Sequence, residues 1–202
     1  MRIVRLVLGS TNQGKLQEWT RLLKNLPLVS ISKLGSFPEP QEIGNTFAEN
    51  ARIKASHYAL LTNEYVFSED GGFEVDALGG LPGVKSRRIL PGDRDGTDDE
   101  LNEYVLSRLK GFPEKKRTAR LIFVATLADP KGKIVFEDSN SLEGLVTEEI
   151  GPIRIPDYPF RSILLIPEVG KTYAELTEEE HEKLNHKKPV AQRLAKFLLE
   201  YK

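Results

Sequence analysis

Cysteine is absent from the 202 residues, which excludes a disulfide framework, a thiolate nucleophile and a cysteine-held zinc site together. Charge of one sign is not in excess either. Lys and Arg number 29 against 30 Asp and Glu, so no net field favours DNA, RNA or an acidic membrane face, and an anionic ligand has to meet a local cluster. No apolar run approaches the length of a membrane span, and there is neither an internal repeat nor a low-complexity linker. The segment Met1-Arg2-Ile3-Val4-Arg5-Leu6 reads as a strand rather than a leader, because its apolar run is short and Arg5 interrupts it. These absences leave a soluble, cytoplasmic protein with no nucleic-acid or membrane partner as the expectation. The length suits one domain across residues 1–202, in one or two lobes.

What is present begins at Val7-Leu8-Gly9-Ser10-Thr11-Asn12-Gln13-Gly14-Lys15-Leu16, an apolar strand running into a small polar turn that opens an amphipathic helix. That layout suits a phosphate cradle: turn N–H groups point outward, the helix N-terminus adds positive potential, and Lys15 supplies a mobile cation. The Walker pattern fails by one residue. Leu16 stands where that motif needs a Ser or Thr hydroxyl for magnesium, so a metal must be held by carboxylates elsewhere. A plain strand-to-helix connection would read the same way.

Strand-like and helix-like segments then alternate, which argues for an α/β layered fold. Leu16, Trp19, Leu22, Leu23 and Leu26 recur at helical spacing, and Leu28 to Ile31 reads as a short strand. Thr46 with Glu49, Thr97 with Glu100 and Thr177 with Glu180 form capping-box patterns ahead of three helices, and Pro189 fits the first turn of a last one with Val190, Leu194, Phe197 and Leu198 inward. Tyr65 to Ser68 reads as a short strand ending at Glu69-Asp70-Gly71-Gly72. Thr118 to Leu127 and Lys133 to Phe136 flank the turn Asp129-Pro130-Lys131-Gly132 as a hairpin, and Ser162 to Ile166 reads as a further strand.

Two carboxylates stand out against this pattern: Glu42, in a polar loop before the Thr46 cap, and Asp70, at a strand end. Magnesium on a nucleotide takes one or two carboxylates plus phosphate oxygens and waters. The alternatives are a solvated loop charge for Glu42 and an Asx-turn for Asp70. Lys54 lies about two turns along the Thr46 helix, where it either reaches a phosphate tail or faces solvent. Gly79-Gly80-Leu81-Pro82-Gly83 is a tight loop followed by Ser86, Arg87 and Arg88.

Taken in order, these segments resemble the inosine/xanthosine triphosphate pyrophosphatase family, whose members hydrolyse deaminated purine nucleoside triphosphates. The matching motifs are Ser10 to Lys15, Gly44 to Ala51 with Lys54-Ala55, Glu69 to Gly83, and Gly170-Lys171-Thr172-Tyr173-Ala174-Glu175-Leu176, so the likeness covers nearly the whole chain. It implies an elongated central mixed β-sheet with flanking helices forming two lobes around a nucleotide cleft, assembled as a homodimer. It also implies a Mg2+-dependent attack of water at the α-phosphorus of a substrate such as ITP, dITP or XTP. Ser10, Asn12, Lys15 and Lys54 match phosphate-gripping positions, and Thr11 and Gly71 fall inside the same motifs. Glu42 and Asp70 match the acids that hold magnesium and orient or deprotonate water. Either Asp70 or Glu69 serves as base, and the family usually carries Asp where this chain has Glu69.

The C-terminal base pocket departs from the family. Its Phe-Gly-Tyr-Asp-Pro run aligns with Tyr158-Pro159-Phe160-Arg161-Ser162, its Ser-His-Arg run with Asn185-His186-Lys187, and a pocket lysine falls near His181. Arg161 and Lys187 only donate hydrogen bonds, so they suit a keto oxygen or ring nitrogen and oppose an exocyclic amino group. Arg161 could instead pair with Asp157 or Glu168. Two readings follow, an active pyrophosphatase with shifted base choice, and a nucleotide-binding or sensor protein with little turnover. A P-loop phosphotransferase is disfavoured by Leu16.

Overall fold

The computed structural model describes residues 5–24 and 26–201. The N-terminal strand expected over Met1–Leu6 lies outside these as far as residue 4. The elements are β1 (Leu6–Leu8), α1 (Gln13–Leu22), β2 (Leu28–Ser30), α2 (Phe47–Thr62), β3 (Tyr65–Val75), α3 (Asp98–Arg108), β4 (Thr118–Ala128), β5 (Ile134–Val146), β6 (Leu164–Ile166), β7 (Lys171–Thr172), α4 (Glu178–Leu184) and α5 (Lys188–Glu200). The strands form one seven-stranded sheet in the order β2-β1-β3-β4-β5-β6-β7. β1 pairs in parallel with both β2 and β3, whereas β6 runs antiparallel to β5 and β7, so the sheet is mixed as expected. The parallel end follows from the chain order, since α1 and α2 are the crossovers that parallel pairing requires.

The chain divides into two compact units, Met1–Asp70 with Phe123–Asn140 and His186–Lys202, and Gly71–Ile122 with Ser141–Asn185. In the first, side chains alternate across β1 with the period of a strand. Leu6 and Leu8 pack with Trp19, Phe67, Phe123 and Leu194, while Val7 packs on the other face with Ala55, Tyr58 and Val66. A strand covered on both faces reads as a continuous apolar run, which is why Leu6-Val7-Leu8 shows no alternation. In the second unit Phe73, Val75, Leu101, Val105, Leu109 and Ile163 form the core, with Phe73 stacked on Phe160 at 5.0 Å between centroids.

All three expected capping boxes are formed, each Thr side chain accepting from the N3 backbone N–H and each Glu reaching back. A fourth, Thr172 with Glu175, caps a short 3-10 turn. Local hydrogen-bond chemistry carried these predictions because both partners lie within one turn. α5 also starts with proline in its first turn and buries Val190, Leu194 and Leu198, with Phe197 half-buried.

Strand limits depend on sheet partners and moved further. β3 does not stop at Ser68 but continues through Glu69, Asp70, Gly71 and Gly72 to Val75, so Asp70 sits inside a strand rather than at its end. β5 runs on from Ile134 to Val146, well beyond Phe136. The segment opening at Ser162 is the end of a 3-10 turn, with the strand confined to Leu164–Ile166. α1 ends at Leu22, leaving Leu26 beyond it. Among the described residues no helix is long and apolar enough to cross a membrane.

Candidate active site

The first unit carries the turn between β1 and α1. β1 ends at Leu8, and Asn12 caps α1 by accepting the Lys15 backbone N–H at 3.0 Å, while its own N–H donates to Ser10 Oγ at 3.2 Å. The cap therefore uses the Asn12 oxygen, whereas its amide NH2 can only donate. Gly9 is required by space: a Cβ there would lie 2.4 Å from Ser68 Oγ and 3.0 Å from Val66 Cγ1. The turn thus lies directly on β3, whose next residues are Glu69 and Asp70.

Lys54 reaches the same place from α2. Its Nζ donates to Asp70 Oδ1 at 2.8 Å and to Glu42 Oε2 at 3.1 Å. Burial by itself would lower the Lys54 ammonium, but Asp70 and Glu42 more than offset this and raise it above its ordinary value. Burial raises the Asp70 carboxyl, and the opposing pull of Lys54 does not cancel it. Glu42 is the more exposed acid, its side chain 43% accessible against 15% for Asp70. Its loop is tied down by Asn50, a buried residue on α2 whose Oδ1 accepts the Gly44 N–H at 2.8 Å. The motif contained Asn50, but its role needed the loop to fold back onto the helix.

Glu69 lies in a different setting. Buried on β3, it accepts from Trp19 Nε1 at 2.7 Å and from Lys187 Nζ at 3.0 Å, with Lys15 Nζ at 3.4 Å. Burial would raise its carboxyl, but Lys187, Lys15 and the Trp19 N–H overcome this and hold it at about 2, below the ordinary 4.5. Because the folded value is the lower one, the stabilisation from this cluster is complete above about pH 5 and is lost as pH falls toward about 2. We expect the melting temperature to decline across that window and to decline less in Glu69→Gln, as thermal melts over the pH series would show.

Lys187, expected as a donor to a base, is instead buried with its ammonium on Glu69 and, at 2.8 Å, on Glu18. A buried ammonium has to be paired, and these acids are its neighbours once α5 packs on α1. His186, expected in the same pocket, is also buried and packs edge-on against Phe123 at 5.4 Å. Neither Trp19 nor Glu18 stood out in the sequence. The lone tryptophan was read as core packing, and its indole N–H is what betrays a second role.

The remaining expected base contacts belong to the second unit. Arg161 lies over the Tyr158 ring, 3.8 Å from its centroid, and 5.2 Å from that of Tyr173, which His181 meets edge-on at 4.6 Å. Arg161 makes no ion pair with Asp157 or Glu168 among the described residues; Glu168 pairs with Lys183. Asn185 ends α4, and Gly71 follows Asp70 within β3.

Among the described residues no three His, Asp or Glu side chains are arranged to hold a metal. The donor set at Lys54 nevertheless fits magnesium bound with a nucleotide. Two carboxylates meet at one ammonium, and that ion takes few protein oxygens when phosphates supply the rest.

The Ham1 family's model matches residues 6–197. The chain is 38% identical over 186 residues to the dITP/XTP pyrophosphatase of Desulforamulus reducens, covering 91% of this chain and 90% of that one. It is 33% identical over 195 residues to the dITP/XTP pyrophosphatase of Bacillus subtilis, covering 95% and 96%. Its structure is similar to that of the Staphylococcus aureus Ham1 protein, with TM-score 0.84 and 27% identity over 98% of this chain and 100% of the other. A HAM1 protein from Coxiella burnetii gives TM-score 0.84 and 29% identity over 98% and 99%. The relatives' names agree with the resemblance carried by the motifs, and with nearly all of its length matched this chain belongs to the Ham1 family.

Proposed function

We propose that this protein is a magnesium-dependent pyrophosphatase that hydrolyses deaminated purine nucleoside triphosphates, such as dITP and XTP, to the nucleoside monophosphate and pyrophosphate. Family membership supports the substrate class. The observation that carries the chemistry is the single Lys54 ammonium bonded to both Glu42 and Asp70.

In this reading Ser10, Thr11, Asn12 and the N-terminus of α1 donate to phosphate oxygens, with Lys15 and Lys54 as cations. Asp70 and Glu42 would hold a magnesium ion, which supplies charge neutralisation at the phosphates. Asp70 orients a water and takes its proton as the water oxygen bonds to the α-phosphorus. The bond from that phosphorus to the bridging oxygen breaks, and pyrophosphate leaves with the electron pair. The base is assigned to Asp70 rather than Glu69 because a base needs contact with solvent and a proton affinity not far below neutrality. Asp70 is partly exposed and its carboxyl is raised, whereas all of the Glu69 hydrogen-bond contacts described above are to protein donors and its carboxyl is held at about 2. Charge stabilisation and an aligned nucleophile suffice for phosphoryl substitution, so no covalent intermediate is invoked.

Base choice is assigned to Arg161 on Tyr158. A guanidinium whose carbon sits 3.8 Å over the Tyr158 ring still has N–H groups to offer, which suit a 6-keto oxygen and N7 and reject a 6-amino group. The enzyme is taken to act in the cytoplasm as a homodimer, which light scattering would check for assembly. Pyrophosphate release from a panel of nucleoside triphosphates, with and without magnesium, tests the whole reading. Magnesium-dependent turnover of dITP, XTP or ITP above ATP and GTP is expected. Binding without turnover on every member would replace the enzyme by a sensor. On the same panel Arg161→Asp should reorder the bases by about tenfold or more while the summed rate changes less, and an unchanged ranking would remove Arg161 from base selection.

A further inference from the structure

Among the described residues two ammonium groups face the one buried Glu69 carboxylate. Glu69 Oε2 takes the Trp19 N–H, while Oε1 faces two ammonium groups, Lys187 Nζ at 3.0 Å and Lys15 Nζ at 3.4 Å. The two lysines are not equivalent. Lys187 is 10% exposed, is also bonded to Glu18 at 2.8 Å, and stands 5.8 and 5.7 Å from the centroids of Trp19 and Phe123. Lys15 is 26% exposed, makes the longer contact, and lies in the first turn of α1 where a phosphate would arrive.

We propose that Lys187 is a positioning residue for phosphate binding: by occupying Glu69 it keeps that buried carboxylate from capturing the Lys15 ammonium. The inference rests on the reading of the cradle given above. A carboxylate out of water attracts a nearby cation more strongly than a surface one does, because little solvent screens the pair. With Lys187 and Trp19 already on Glu69, its pull on Lys15 is shared out and Lys15 can transfer to a phosphate oxygen. Without Lys187 the one ammonium left to Glu69 among the described residues is that of Lys15, which the phosphate must then pull away. Lys187 does this without touching the substrate, and its second bond to Glu18 anchors it on α1 from α5.

The test uses the full chain and two readouts, calorimetric binding of inorganic tripolyphosphate with magnesium, and kcat and KM for the best nucleoside triphosphate. Lys187→Met should weaken tripolyphosphate binding and raise KM by about tenfold, with kcat within about threefold of the parent. Adding Glu69→Gln should bring binding back to within about threefold, because a neutral amide no longer holds Lys15. Unchanged affinity in Lys187→Met, or a double variant as weak as the single one, would overturn the proposal. Should Lys187→Met not fold, Trp19→Phe keeps an aromatic ring there and removes one donor from Glu69. Binding about threefold weaker supports the proposal and unchanged binding overturns it. A parent that binds tripolyphosphate but releases pyrophosphate from no nucleotide would refute the enzyme reading alone, since the binding comparison stands without turnover.

Discussion

Asp70→Asn is expected to lower kcat/KM by about a thousandfold, within the range seen when a general base is removed, while the melting temperature stays the same or rises slightly. The two halves of this expectation have separate causes. The amide cannot accept the water's proton and is a poorer magnesium ligand than a carboxylate. For stability, burial raises the Asp70 carboxyl despite Lys54. Its charged form is therefore disfavoured by the fold at neutral pH, and a neutral side chain of the same shape relieves that. Steady-state kinetics with saturating magnesium and a thermal melt read the two effects independently. Activity retained within about tenfold would take the base role from Asp70, and a large fall in melting temperature would make it a structural residue.

Lys54→Met should have the next largest effect, a loss of about a hundredfold to a thousandfold in kcat/KM, as for removal of one well-placed donor from a transition-state site. The lysine holds Asp70 and Glu42 together, with its Nζ within 3.1 Å of an oxygen of each. Without it two carboxylates face one another uncompensated, and like charges at close range resist joint ionisation. The loss should therefore shrink as magnesium is raised, because the divalent ion replaces part of the missing charge. Lys54→Arg, which keeps the charge but spreads it over a planar fork, should fall between the two. Activity measured against magnesium concentration checks this, and a loss independent of magnesium would mean that Lys54 acts on the phosphates alone.

Much of the fold is legible in the sequence. The capping boxes at Thr46, Thr97 and Thr177 and the first-turn proline of α5 are set by residues within a turn of each other. The strand-to-helix turn at Gly9 to Lys15 was legible for the same reason. The extent of β3 was not, because the Gly71-Gly72 pair reads locally as a break. Pairing across the sheet carries the strand through it to Val75. Within the candidate site, the residue types of Lys54, Glu42 and Asp70 were legible through motifs. That one ammonium bonds both acids depends on α2 packing beside β3. The partners of Lys187 were not legible, because the acids that hold its ammonium, Glu18 and Glu69, lie far from it in the chain.

By itself the sequence determined what short-range chemistry determines: the alternation of strands and helices, where helices begin, the strand-to-helix turn after β1 and the motifs that mark the family. Only the tertiary structure decided which of two adjacent acids is withdrawn from solvent. Glu69 and Asp70 are neighbours in the chain, yet one is neutralised by a lysine 118 residues away and the other meets a lysine on α2. Successive residues of a strand face opposite sides, so the partners each acid finds, and the water it loses, are set by the elements packed on those sides rather than by anything adjacent in sequence.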